Sequence, residues 1–170
     1  MMIDYDAELL KSRGFRIKQL GDGFLCSVGY PFNTASGRPS ISEASLLSEK
    51  FVSIMKEESS NFFNGKPICC SIAIAYGNIE GFFPSGGTKQ YDMFGQGIVL
   101  ATRYEDARHF LLEAKPELRG KHIIILSRIV YEGLESSSRR EFEKFDFFQG
   151  NFRIRDDKDE QFLYFKAISP

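Results

Sequence analysis

The chain has 170 residues, with 22 basic and 23 acidic side chains and a net charge of −1, so it lacks the basic field that draws a protein to nucleic acid. Its hydrophobic fraction of 42%, with 17 Phe and no Trp, supplies a core for one domain over residues 1–170 without metal or disulfide staples. Three cysteines, two of them adjacent and none in C-x-x-C spacing, argue against a disulfide framework or a thiolate metal cluster and for a reducing, cytoplasmic setting.

Residues 3–13 carry Ile3, Ala7, Leu10 and the stem of Lys11 near one face, which predicts a short helix capped by Gly14. No basic stretch followed by an apolar one opens the chain, so no signal peptide is expected. Phe15–Leu20 alternates as a strand does, Gly21-Asp22-Gly23 is a tight turn, and Phe24–Val28 is the returning strand. Residues 33–41 are small and polar and read as a loop. Ser42 or Ser40 then caps a helix over 42–62 with a buried stripe of Leu46, Leu47, Phe51, Ile54 and Met55.

After Lys66-Pro67, the apolar run Ile68–Ala75 reads as a central strand covered on both faces. Residues 84–90 form a Pro/Gly loop. A helix runs from 95–98 to Ala114, ahead of Pro116, and His122–Ser127 is a short buried strand. Residues 135–146 form a charged helix or an exposed loop, and Arg139-Arg140 lies there among Glu135, Glu141 and Glu143 as a solvated face. Phe152–Arg155 and Gln161–Phe165 suggest a closing hairpin around Asp156-Asp157-Lys158-Asp159. The order predicts an α+β fold, one sheet with helices packed on it. No apolar run is long enough for a bilayer span. Some of the Phe rings could face a dimer partner, where aromatic residues are enriched.

Four residues carry candidate chemistry, and each has an ordinary reading when taken singly. Asp22 suits a turn, and Lys18 suits an exposed strand position. Asp92 could cap the following helix, and Arg103 could pair with Glu105 or Asp106 on its own helix. Their order is more informative. Lys18-x-x-Gly-Asp22-Gly-Phe, a helix, Ser71–Gly77 with Gly81, Tyr91-Asp92-x-Phe94-Gly95 and Ala101-Thr102-Arg103 together resemble the class III adenylate/guanylate cyclase catalytic domain. Leu126-Ser127, Val130–Leu134 and residues 150–166 extend the resemblance over nearly the whole chain.

The resemblance implies a ferredoxin-like, palm-type antiparallel sheet with helices packed on it. It implies that Asp22 is a metal carboxylate for Mg2+ or Mn2+ and that Lys18 and Asp92 read the base. An ammonium suits the adenine N1 acceptor and a carboxylate suits the adenine amino donor, so the pair resembles the ATP-specific form. Arg103 would stabilise charge growing on the α-phosphate as the ribose 3′-hydroxyl attacks.

Departures from the family pattern qualify this. Since 21 residues precede Asp22, the family's first strand and first metal Asp are expected to be missing, leaving sheet edges that need cover. Val99 stands where the family has a ribose-contacting Asn four residues before the Arg. The Asp-rich tract near Arg155 and Lys158 would repel a triphosphate. The expected function is therefore a class III adenylate-type cyclase homologue, a lyase of cyclic nucleotide signalling, weak or inactive as it stands. The alternatives are a non-catalytic dimerisation or nucleotide-sensing module, one half of a mixed cyclase dimer, or an N-terminally shortened cyclase. Expected partners are ATP and a second cyclase domain, as homodimer or heterodimer, with no nucleic acid and no membrane segment. An RNA-binding module would need aromatics beside basic residues on an open sheet, which the near-neutral charge disfavours.

Overall fold

A computed structural model describes residues 2–11, 13–31, 38–62, 67–82, 92–150 and 152–170. Residues 33–37 of the loop expected over 33–41, the loop expected over 84–90, and Tyr91 lie outside the described residues. The chain folds as a mixed α+β protein, and among the described residues its strands lie in three sheets rather than one. The helices are α1 (Met2–Lys11), α2 (Arg38–Phe62), α3 (Gln96–Ala114), α4 (Arg128–Gly133) and α5 (Ser136–Arg139). The strands are β1 (Gly14–Leu20), β2 (Gly23–Val28), β3 (Ser71–Ile74), β4 (Glu80–Phe82), β5 (Asp92–Phe94), β6 (His122–Leu126), β7 (Glu143–Asp146) and β8 (Phe162–Ile168).

The largest sheet runs β3-β6-β8-β7. β3 and β6 are parallel, which the intervening α3 makes possible, while β8 is antiparallel to both β6 and β7. The sheet is thus mixed, where the family resemblance implied an antiparallel one. β1–β2 and β4–β5 are separate antiparallel hairpins.

The apolar run at β6 explains its central place. Every residue from His122 to Leu126 is buried, and the period-2 alternation divides them between two cores. Ile123 and Ile125 join Leu163 and Phe165 of β8, Phe147, and the α3 stripe of Leu100, Tyr104, Ala107 and Leu111. Ile124 and Leu126 join Tyr164, Ile41 and Val52 of α2, and Val130 of α4. A third cluster sits apart. Tyr5 and Leu9 of α1 and Leu47 and Ile54 of α2 pack against Phe24, Cys26 and Val28 of β2. Helix α2 thus serves both regions, and Lys166 of β8 ties it further through an ion pair of 2.7 Å to Glu49, with a second to Glu141.

Several expectations change in detail. Leu10 is exposed, and the α1 face that packs is Tyr5 and Leu9, because the hairpin covers that side. Arg13, at φ 54, rather than Gly14 takes the left-handed position after α1. Helix α2 begins at Arg38, with Pro39 in its first turn, where a missing N–H costs nothing. Leu46 is exposed, while Ser45 and Ser48 are buried. β3 lies at the edge of its sheet and is half-buried, so it is not the central strand. Residues 143–146 form strand β7, and it is β7 that pairs with β8. Residues 152–155 contribute an isolated bridge between Ile154 and Asp157 in place of a hairpin arm.

Helix α3 is seated on backbone. A Cβ on Gly77 would lie 2.7 Å from the Gly97 nitrogen, and one on Gly97 would lie 3.0 Å from the Gly77 oxygen. Gly95 starts the helix at φ 137, and a Cβ there would overlap the Asn78 carbonyl. Space excludes a side chain at Gly77 and Gly97, and at Gly95 both the space and the positive φ do. Among the described residues, no helix is long and apolar enough to cross a membrane.

Candidate functional site

The first hairpin carries two of the four expected residues. Leu20 pairs with Gly23 across the two-residue turn Gly21-Asp22, and Gly21 takes φ 62, as such turns require. The Gln19 side-chain amide donates to the Gly21 carbonyl at 3.0 Å and fixes the turn. This leaves Asp22 exposed at the tip. The register slips between Arg16 and Lys18, a bulge that re-aims the following side chains. Arg16 anchors the hairpin to α1 through Asp6 at 2.6 Å.

The bulge matters because Lys18 meets the third residue. Its Nζ lies 3.9 Å from Asp92 Oδ2, with the side chains 58% and 40% exposed. The other Asp92 oxygen accepts the Met93 N–H at 2.8 Å, which orients the carboxylate along β5. Asp92 does not cap α3, since Gly95 holds that position without a side-chain cap. An ion pair this exposed contributes about 0–1 kcal/mol. A ligand can therefore open it at small cost.

Arg103 stands about two helical turns into α3 and is engaged elsewhere. Its Nε donates to Asp156 Oδ2 at 3.2 Å, and Nη1 is 3.7 Å from Asp106. The Asp106 pair is the ordinary helix-surface partnership open from the sequence. The Asp156 contact comes from the Asp-rich tract and was missed. Next to it, the buried Tyr104 hydroxyl donates to Asp157 at 2.9 Å, and burial with the Asp157 charge pushes the phenol pKa upward. Val99 is an exposed position one turn before Arg103. The structure thus joins Lys18 to Asp92 and holds Arg103 with two acids outside the expected set.

Among the described residues, no group of three or more His, Cys, Asp or Glu side chains could hold a metal ion. Asp22 at an exposed tip offers one hard ligand, whereas Mg2+ bound through so few protein groups relies on further carboxylates or substrate phosphates.

A thiol–imidazole pair elsewhere offers a different chemistry. Cys70 Sγ lies 3.2 Å from His122 Nδ1, which also accepts the Cys70 N–H at 3.3 Å. Burial pushes the Cys70 thiol up to about 12 and lowers the pKa of His122. A nucleophilic cysteine needs the opposite shift. Cys26 is pushed up to about 12 for the same reason. No family model matches the chain, and no curated protein matches it.

Proposed function

We propose that the chain is a class III cyclase homologue of adenylate type, with a palm-type fold, that binds ATP through Lys18 and Asp92 and turns it over weakly or not at all. The observation that carries this reading is the approach of Lys18 Nζ to Asp92 Oδ2. The two residues lie on strands of separate hairpins, yet they stand together as a donor and an acceptor matched to the adenine edge. The engagement of Arg103 by Asp156 and the single carboxylate at the turn tip argue for binding in preference to turnover.

Calorimetry with ATP and GTP tests the reading. ATP should bind in preference to GTP, and Lys18→Ala or Asp92→Ala should each weaken ATP about tenfold or more, as expected for losing a charged hydrogen bond. Equal affinity for the two nucleotides, unchanged in both variants, would sink it. Purified protein with Mn2+ and millimolar ATP should yield little or no cyclic AMP. Robust production, lost in Arg103→Ala, would replace the binding reading with an enzymatic one.

A second reading makes the chain one half of a homodimer or mixed dimer whose partner completes the metal site. Phe82 and Phe94 support it: their rings stand 5.5 Å apart across β4–β5 and remain 43% and 51% exposed. Light scattering that shows a strict monomer at high concentration, alone and with a candidate partner domain, would end it.

A further inference from the structure

The segment after Arg155 does more than fill a turn. Ile154 is buried in the same core as α3, and it bridges to Asp157. Asp157 is in turn fixed by the buried Tyr104 hydroxyl. Between these two anchors Asp156 sits at φ 71, a left-handed conformation that Asp and Asn tolerate better than other side chains. That geometry turns its carboxylate onto Arg103 Nε at 3.2 Å. A carboxylate there presents oxygen atoms and negative charge to a guanidinium, which are the features a phosphate oxygen offers.

We infer that Asp156 is an autoinhibitory latch, an internal stand-in for phosphate that occupies Arg103 and must be displaced before a nucleotide's phosphates can use it. The inference rests on the proposed nucleotide site and adds its regulation. The latch is shallow by construction. Arg103 and Asp156 are 29% and 47% exposed, so their pair is weak and salt-sensitive. Its anchors are strong by comparison, because Ile154 and Tyr104 are buried. Asp156 therefore stays close to Arg103 even when the ion pair opens.

The test titrates ATP, and adenosine as the phosphate-free probe, into the full chain at low ionic strength. Wild type, Asp156→Asn, Arg103→Gln and the double variant Asp156→Asn/Arg103→Gln are compared by calorimetry, the gain in the double variant being read against Arg103→Gln. Asn keeps the left-handed conformation and removes the charge, so an unchanged melting temperature is expected. Asp156→Asn should tighten ATP about two- to fivefold, the reach of an exposed ion pair. Adenosine affinity should not move, and the gain should vanish in the double variant. Unchanged or weaker ATP binding by Asp156→Asn, with adenosine still bound, overturns the latch and leaves base recognition standing. A gain that persists without Arg103 also overturns it, because the effect would then be general charge. Failure of every variant to bind either ligand overturns the nucleotide site and the latch with it.

Discussion

The buried sheet and the first hairpin hold their strands in place by different means. β6 is buried along its whole length between two cores, and α3, α2 and α4 close over it. β1 is buried at Gly14 and exposed from Lys18 to Leu20, and its hairpin depends on the smaller cluster of α1 and α2 side chains. The candidate site draws on both. Arg103 rides on a helix anchored in the large core, whereas Lys18 and Asp22 sit at the thinly supported end of the hairpin. Regions with few buried apolar contacts open at lower free energy than core elements. The side of the candidate site that carries Lys18 is accordingly the softer side.

The largest effect should come from the sheet. Phe165→Ala empties a fully buried position and should cost about 3–5 kcal/mol in urea unfolding. Leu9→Ala, nearly as buried but in the hairpin cluster, should cost about 2–3 kcal/mol. Amide exchange should then accelerate in α1, β1 and β2 ahead of β6. Uniform acceleration would make the two regions one cooperative unit and break the comparison.

A pH experiment sharpens it. His122 is fully buried, and its Nε2 has no partner among the described residues. Burial first, and then the Lys56 ammonium, hold its pKa below the ordinary 6.5. The unfolded chain takes up a proton that the folded chain resists, so stability falls as pH drops below 6.5. The contribution is fully present above 6.5 and is lost toward the lower folded-state value. In His122→Asn, whose side-chain oxygen can still accept the Cys70 N–H, the acid-side slope of the urea midpoint should flatten. An unchanged slope would place the titration elsewhere.

Two smaller changes complete the series. Tyr104→Phe removes the hydrogen bond to Asp157 and should cost about 0.5–1.5 kcal/mol in thermal unfolding. Leu46→Glu alters an exposed side chain and should stay within about 0.5 kcal/mol. A larger loss there would show that the outer face of α2 is covered in solution.

What could be read in advance follows from how local each cause is. The β1–β2 hairpin, α3 and β6 were legible because period, glycine turns and apolar runs act over neighbouring residues. The packed face of α1 was not, since Tyr5 and Leu10 differ little in pattern and the hairpin decides which is covered. β7 was missed because Glu143 and Lys144 are exposed and its strand character comes from pairing with distant β8. Phe152-Arg153-Ile154-Arg155 misled in the opposite way, since its alternation is strand-like but, among the described residues, no partner strand meets it beyond one bridge. At the site, Lys18 and Asp92 were expected to be partners from the family resemblance. The hold of Asp156 on Arg103 was not expected, because opposite charges far apart in sequence leave no periodic mark. The clustering of acids in that tract was its one visible sign.

The crossing of Gly77 and Gly97 has a consequence for how the position of Arg103 is gauged. Most helices are spaced from their neighbours by side chains, so repacking a core lets them slide or tilt. Here the first turn of α3 rests on peptide planes, whose dimensions do not vary with sequence. The depth of Arg103 along its helix axis is metered from a fixed stop at the helix start, much as a ruler is read from its end. Substitutions that reshape the core beneath α3 can swing the far end of the helix, at Ala114, more readily than they can displace the guanidinium-bearing turn.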